Sequence, residues 1–199
     1  MNLKIQPMGD YQTNCYIVTI EGKDFIIDPG IGATQWVINN VTNPIAILNT
    51  HGHFDHVWSN HELQERLNLP LYIPKDDSFM LTMGENNMNV PPSKADVLVE
   101  NDATVTLEGV EIIFHHMPGH TKGCSMIEIG DAFFSGDFIF RDSIGRTDFP
   151  YSDNKQMIDS LNKLSKFNND KVVYPGHGTS TTISHEQKNV PFWFSHLNN

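Results

Sequence analysis

Three imidazoles and a carboxylate are crowded into Thr50-His51-Gly52-His53-Phe54-Asp55-His56. An apolar run, Pro44 to Leu48, precedes them and reads as a buried strand, and a helical pattern begins near Val57. Potential metal ligands therefore stand at the C-terminal tip of a strand, where an α/β sandwich opens its ligand-binding crevice. A packed core has little use for so many imidazoles, whereas neutral imidazole and carboxylate at this density suit a divalent transition ion.

Three later stretches repeat the pattern of a strand ended by turn chemistry and one potential ligand. They are Met117-Pro118-Gly119-His120-Thr121, Phe134-Ser135-Gly136-Asp137 and Tyr174-Pro175-Gly176-His177-Gly178. Glycine lets the backbone turn sharply and approach an ion, while the strand before it supplies rigidity. The candidate ligands become His51, His53, Asp55, His56, His120, Asp137 and His177. That set is too large for one tetrahedral ion. It divides into two open sites of three or four protein ligands, with a carboxylate and a water between them, which is a catalytic arrangement. The absence of a cysteine cluster argues against a closed structural site.

Composition narrows the function classes. A net charge of −11 disfavours nucleic acid or an anionic membrane as partner, because phosphate backbones reward clustered Lys and Arg. An anionic small substrate stays compatible with it, since bound cations invert the local field. The first residues show no basic region followed by an apolar one, and no apolar run reaches the ~18 residues of a membrane span. Cys15 and Cys124 lie far apart in strand-like contexts and read as two buried thiols. A cytoplasmic protein of one domain, 1–199, is the expectation.

Along the chain, Leu3 to Ile27 reads as a β-meander turning at Glu21-Gly22-Lys23, and Asp28-Pro29-Gly30 stops it. Asp28 is either a turn former or a support beneath the metal ligands. Helices are expected at 33–41, 56–67 and 76–83, and the clearest amphipathic one at 155–167, with Met157, Ile158, Leu161 and Leu164 on one face. Strands are expected at 71–73, 103–107, 110–117, 124–129, 132–135 and 172–174. Residues 84–94 are irregular and read either as a surface connection or as a loop over the crevice. The tail from Ile183 reads as a brief helix ending before Pro191, with Phe192 and Trp193 packing back. His115, His116, His185 and His196 read as packing or surface residues. The two halves share a strand–loop–His rhythm.

Thr-His-Gly-His-Phe-Asp-His resembles the THxHxDH signature of the metallo-β-lactamase superfamily. His120, Asp137 and His177 match its remaining motifs in order, and Asp28 matches its early Asp after a strand. The resemblance spans essentially the whole chain. It implies an α/β fold, an αβ/βα sandwich of two mixed sheets with outer helices. By residue it places His51, His53 and His120 on one ion, Asp55, His56 and His177 on a second, and Asp137 between them. Two divalent ions are implied, zinc first, with iron or manganese as alternatives. Asp137-Phe138-Ile139-Phe140 with Ser143 to Pro150, and the Pro-Gly-His-Gly stretch with its tail, look like the short glyoxalase II-type hydrolases.

That resemblance implies hydrolysis of an acyl-thioester such as S-lactoylglutathione by a metal-bridging hydroxide. Asp55 is read as a ligand within the catalytic centre, and Arg146 either as a binder of substrate carboxylate or as the partner of Asp142 or Asp148. Full-length glyoxalase II enzymes add a C-terminal helical domain carrying much of their glutathione site, whereas only residues 178–199 follow His177 here. The thiol carrier is accordingly open. Gly145-Arg146-Thr147-Asp148-Phe149 also looks like the mononuclear iron persulfide dioxygenases. That activity, hydrolysis of another ester or lactone, and a non-catalytic metal scaffold stand as the alternatives.

Overall fold

A computed structural model of the chain, describing residues 1–83 and 89–198, places fourteen strands and seven α-helices in four layers. The chain begins with an antiparallel meander of β1 (Asn2–Met8), β2 (Thr13–Ile20) and β3 (Lys23–Ile27). Helix α1 (Ala33–Asn40) then carries it to β4 (Pro44–Leu48), parallel to β3. Helices α2 (Phe54–Val57) and α3 (Asn60–Leu67) lead to β5 (Leu71–Pro74). A 3-10 turn at Lys75–Asp77 and α4 (Met80–Met83) precede β6 (Val97–Val99). The first sheet therefore runs in sequence order, antiparallel and then parallel.

The second half repeats this plan. Strands β7 (Ala103–Leu107), β8 (Val110–His116), β9 (Ser125–Ile129) and β10 (Ala132–Gly136) are antiparallel neighbours. A small hairpin follows, β11 (Ile139–Phe140) with β12 (Ser143–Ile144). Helix α5 (Asn154–Leu164) then delivers β13 (Val172–Pro175) parallel to β10. Strand β14 (Thr181–Thr182) closes the sheet, and α6 (Ile183–Gln187) and α7 (Val190–Leu197) follow. The expected sandwich of two mixed sheets with outer helices is the observed fold.

Side-chain alternation builds three apolar layers. Phe25 and Ile27 of β3 face the second sheet, against Phe114 and Phe134, while Ile26 between them faces α1 and α3. On the other sheet Phe134 points inward and Phe133 outward, onto Met157 and Leu161 of α5. With both faces covered, strands read as continuous apolar runs rather than alternating ones, as β3 and β4 do. Each fully buried Phe or Ile contributes on the order of 2 kcal/mol. Cys15 and Cys124 are buried, unpaired thiols in these layers.

Several local expectations need correction. The helix expected over 56–67 is two helices, because Ser59 leaves the ladder: its N–H donates to Pro29 O and its hydroxyl to Gly30 O. Over 76–83 a 3-10 turn and one short helix replace a single element. The amphipathic helix ends at Leu164, with Phe167 packing beyond it. The brief helix from Ile183 does end before Pro191, at Gln187, but a further helix, α7, follows it with Pro191 in its first turn, where no proline N–H is needed. Trp193 does pack back, but Phe192 is 63% exposed. Of the irregular stretch 84–94, residues 84–88 lie outside the described residues, while Val90 packs into the layer beneath α1 and α3.

Candidate metal centre

The C-terminal ends of β4, β10 and β13 converge with the loop between β8 and β9 at one edge of the sandwich. His51, His53, Asp55 and His56 follow β4, His120 lies in the β8–β9 loop, Asp137 follows β10, and His177 follows β13. The crowding depends on absent side chains. Gly136 takes φ 49°, and a Cβ on it would run into the Thr50 hydroxyl; one on Gly176 would occupy the space of Asp137 Oδ1 and the His56 ring.

Four of the imidazoles have their Nδ1 atoms occupied away from the centre. His120 Nδ1 donates to Arg146 O at 2.8 Å and His177 Nδ1 to Tyr11 O at 3.0 Å; carbonyls only accept, so both Nδ1 atoms carry the proton. His56 Nδ1 donates to Asp28 Oδ2 at 3.0 Å. The Thr50 hydroxyl donates to the same oxygen at 2.6 Å, which leaves it only a lone pair to offer His51 Nδ1 at 3.0 Å. Asp28 also accepts from Thr50 N at 2.8 Å, so one buried carboxylate orients both His51 and His56. In each ring Nε2 is left facing inward, the orientation in which an imidazole binds a metal.

The inward atoms are spaced for coordination. His53 Nδ1 and His120 Nε2 are 2.9 Å apart, and His51, His53 and His120 offer donor atoms within 4.8 Å of one another. Asp55, His56 and His177 form a second such group, with His177 Nε2 at 3.4 Å and His56 Nε2 at 3.6 Å from Asp55 Oδ2. Asp137 reaches both: Oδ1 is 3.3 Å from His56 Nε2, and Oδ2 is 3.5 Å from His120 Nε2 and 3.4 Å from His177 Nε2. Tetrahedral coordination at ~2.0–2.1 Å separates ligand atoms by roughly 3.3 Å, close to these spacings. His51 Nε2 is sealed from solvent and makes no hydrogen bond, a cost that an apolar or a solvated role would not explain. The residues fit a pair of divalent ions.

Electrostatics points the same way. Burial raises the Asp137 carboxyl, but the charges of His56 and its hydrogen bond with His177 outweigh this and hold it well below the usual range. Burial likewise opposes, and His56 and His177 overcome it, to bring Asp55 to about 2. Burial and neighbouring imidazoles push His51 well down and His53 to about 3. His177 rises to about 9 despite burial, because Asp137 and Asp55 accept from it. His56 is raised likewise, by Asp55 and Asp137 against burial, so both rings favour a proton where they face the two carboxylates.

All seven expected ligands are thus brought together, and Asp28 lies beneath them. The Arg146 side chain is elsewhere: it pairs with Asp148 through Nε (2.8 Å) and Nη2 (2.7 Å) and is 65% exposed. It does cover the Phe149 ring at 4.4 Å, and that ring meets the His53 and His120 rings at 6.0 and 6.1 Å. His115 pairs with Glu128, His116 with Lys122 O and His185 with Asp142, all outside the centre. Asp142, His185 and Glu186 also stand close together, but two of the three are already joined as an ordinary surface pair at 2.6 Å. Thr50 and Thr13 escaped the sequence reading. Thr13 Oγ1 donates to Asp55 Oδ2 at 2.6 Å from 42 residues away, a distance at which spacing carries no signal.

The family model for the metallo-beta-lactamase superfamily matches residues 8–177. A curated relative named hydroxyacylglutathione hydrolase GloC, from Haemophilus influenzae, is 32% identical and aligns over 96% of this chain and 98% of its own. Among solved structures, the B3 metallo-beta-lactamase BLEG-1 superposes with a TM-score of 0.87 at 30% identity, over 96% of this chain and 99% of that one. The di-iron-bound form of TTHA1623 superposes with a TM-score of 0.81 at 31% identity, over 95% and 99%.

Proposed function

The chain belongs to the metallo-beta-lactamase superfamily, and on that premise we propose that it is a binuclear metal-dependent hydrolase of acyl-thioesters. The observation that carries this is the division of the inward donors into two groups of three that share Asp137. Two ions held there would lower the pKa of water from 15.7 toward roughly 7 and polarise a carbonyl oxygen. His51, His53 and His120 would hold one, Asp55, His56 and His177 the other, and Asp137 both. His and carboxylate donors suit zinc, our first choice, and equally iron, the metal in the TTHA1623 structure.

The chain's own contribution is orientation and charge. Thr13 orients Asp55 Oδ2 while His56 and His177 favour its ionised form, so Asp55 acts as a ligand within the centre rather than as a proton carrier. A thiol leaving group has a pKa of about 8.5, so thioester cleavage needs no protonating side chain. This agrees with a centre whose carboxylates are both held ionised. Similarity to GloC supports a 2-hydroxyacyl-thioester as substrate. Arg146, one aromatic ring from His53 and His120, would exchange Asp148 for a carboxylate on the substrate's carrier half.

Metal analysis and turnover on one preparation test the reading. Two equivalents of metal per chain with hydrolysis of S-lactoylglutathione or a coenzyme A thioester is the expected result. A single iron with oxygen uptake on glutathione persulfide would replace it with dioxygenase activity. Cleavage of a chromogenic cephalosporin without thioester cleavage would move the chain toward the activity named for BLEG-1.

A further inference from the structure

Asp77 ends the 3-10 turn after β5 and is fully buried. Its carboxylate accepts three hydrogen bonds from two loops. Oδ2 takes Gly52 N at 3.0 Å and the Thr121 hydroxyl at 2.6 Å, and Oδ1 takes Gly123 N at 2.7 Å. Gly52 separates His51 from His53, and Thr121 follows His120. One side chain from the first sheet thus ties together the two loops that carry His51, His53 and His120. Both glycines stand against it without side chains: a Cβ on Gly52 would come 2.8 Å from Asp77 O, and one on Gly123 2.8 Å from Asp77 Cγ.

The bonds of Asp77 all fall on one side of the centre. None goes to Asp55, His56 or His177, which are aligned by Thr13, Asp28 and Tyr11 O. Asp28, by contrast, reaches into both groups through Thr50 and His56. We infer that Asp77 is the positioning residue of the His51–His53–His120 group, setting the separation of its two loops and through it the affinity for that ion alone. The inference rests on the metal centre and not on the thioester. Failure to cleave a thioester would leave it standing.

Zinc titrated into the metal-free full chain, in competition with a chromophoric chelator, tests it. His120→Ala and His177→Ala identify the ion belonging to each group. In Asp77→Asn the amide NH2 must face at least one of the three donors, so the clamp opens. The expected result is a 10–100-fold loss of affinity for the ion that His120→Ala removes. The ion that His177→Ala removes should stay within about threefold of the unmutated chain, against the tenfold or greater change expected of a partner beneath a ligand. Unchanged affinities in Asp77→Asn, equal weakening of both ions, or bound zinc insensitive to His120→Ala would each overturn the inference. Should Asp77→Asn fail to fold, Thr121→Val deletes one of the three bonds at constant shape and must show the same one-sided loss.

Discussion

Asp28 carries more of the metal centre than its position in a turn suggests. With φ 47° it ends β3 in a conformation that strains most side chains, and its two oxygens serve Thr50 N, the Thr50 hydroxyl and His56 Nδ1. Asp28→Ala should therefore weaken both ions by about 10–100-fold, measured by chelator competition; loss confined to one would contradict its shared role. Arg146 makes the opposite kind of prediction. Its side chain touches no ligand, so Arg146→Ala should raise KM for thioesters several-fold while kcat stays within about twofold, the mark of lost uniform binding. An unchanged KM would leave Arg146 as the partner of Asp148 only. The candidate ligands were legible because His and Asp recur at strand ends beside glycine. Asp77 was not, since Lys75-Asp76-Asp77 reads as an ordinary charged turn and nothing local marks the second Asp as buried.

Among the elements, the long strands and α5 could be read from apolar runs and helical spacing, whereas β6, β11, β12 and β14 could not. Two or three residues are too short for periodicity, and these strands exist because a neighbour's ladder accepts them. The turn from α1 into β4 depends on a single buried carboxylate. Asp24 accepts from the Thr19 hydroxyl at 2.6 Å, Thr42 N at 2.6 Å and Asn43 N at 3.0 Å. Burial raises its pKa, but these three bonds and Lys4 win and lower it. A carboxyl depressed on folding adds stability above its unfolded value, near 3.9, and loses it as pH falls through the folded value. Asp24→Ala should cost about 2 kcal/mol at pH 7 in chemical denaturation. The gap to the unmutated chain should close below pH ~4; a gap independent of pH would assign the loss to packing.

For the whole molecule, the candidate centre joins the two sheets through polar groups, since His120, Asp137 and His177 come from the second half of the chain. Metal binding should accordingly stabilise the fold, by about 2.7 kcal/mol at a free concentration of 100 Kd. Chelation should lower the melting temperature. Binding should also release protons, because His56 and His177 hold them in the metal-free state with raised pKa values, that of His177 about 9. Calorimetry in buffers of different ionisation enthalpy should show this release at pH 7 and its decline above pH 9 as His177 deprotonates. Release independent of pH over that range would rule out His177 as a source. The sandwich itself was legible through the resemblance of the four motifs to the superfamily, and the strand–loop–His rhythm pointed to two related halves. One stitch was not: Asn14 N donates to Gly176 O at 2.7 Å, and Asn14 Nδ2 and Tyr16 OH both donate to Pro175 O. This stitch binds β2 to the loop that carries His177. A polypeptide cut before β13 would hold every residue of the His51–His53–His120 group and lack one member of the other, so the two groups differ in how much of the chain each requires.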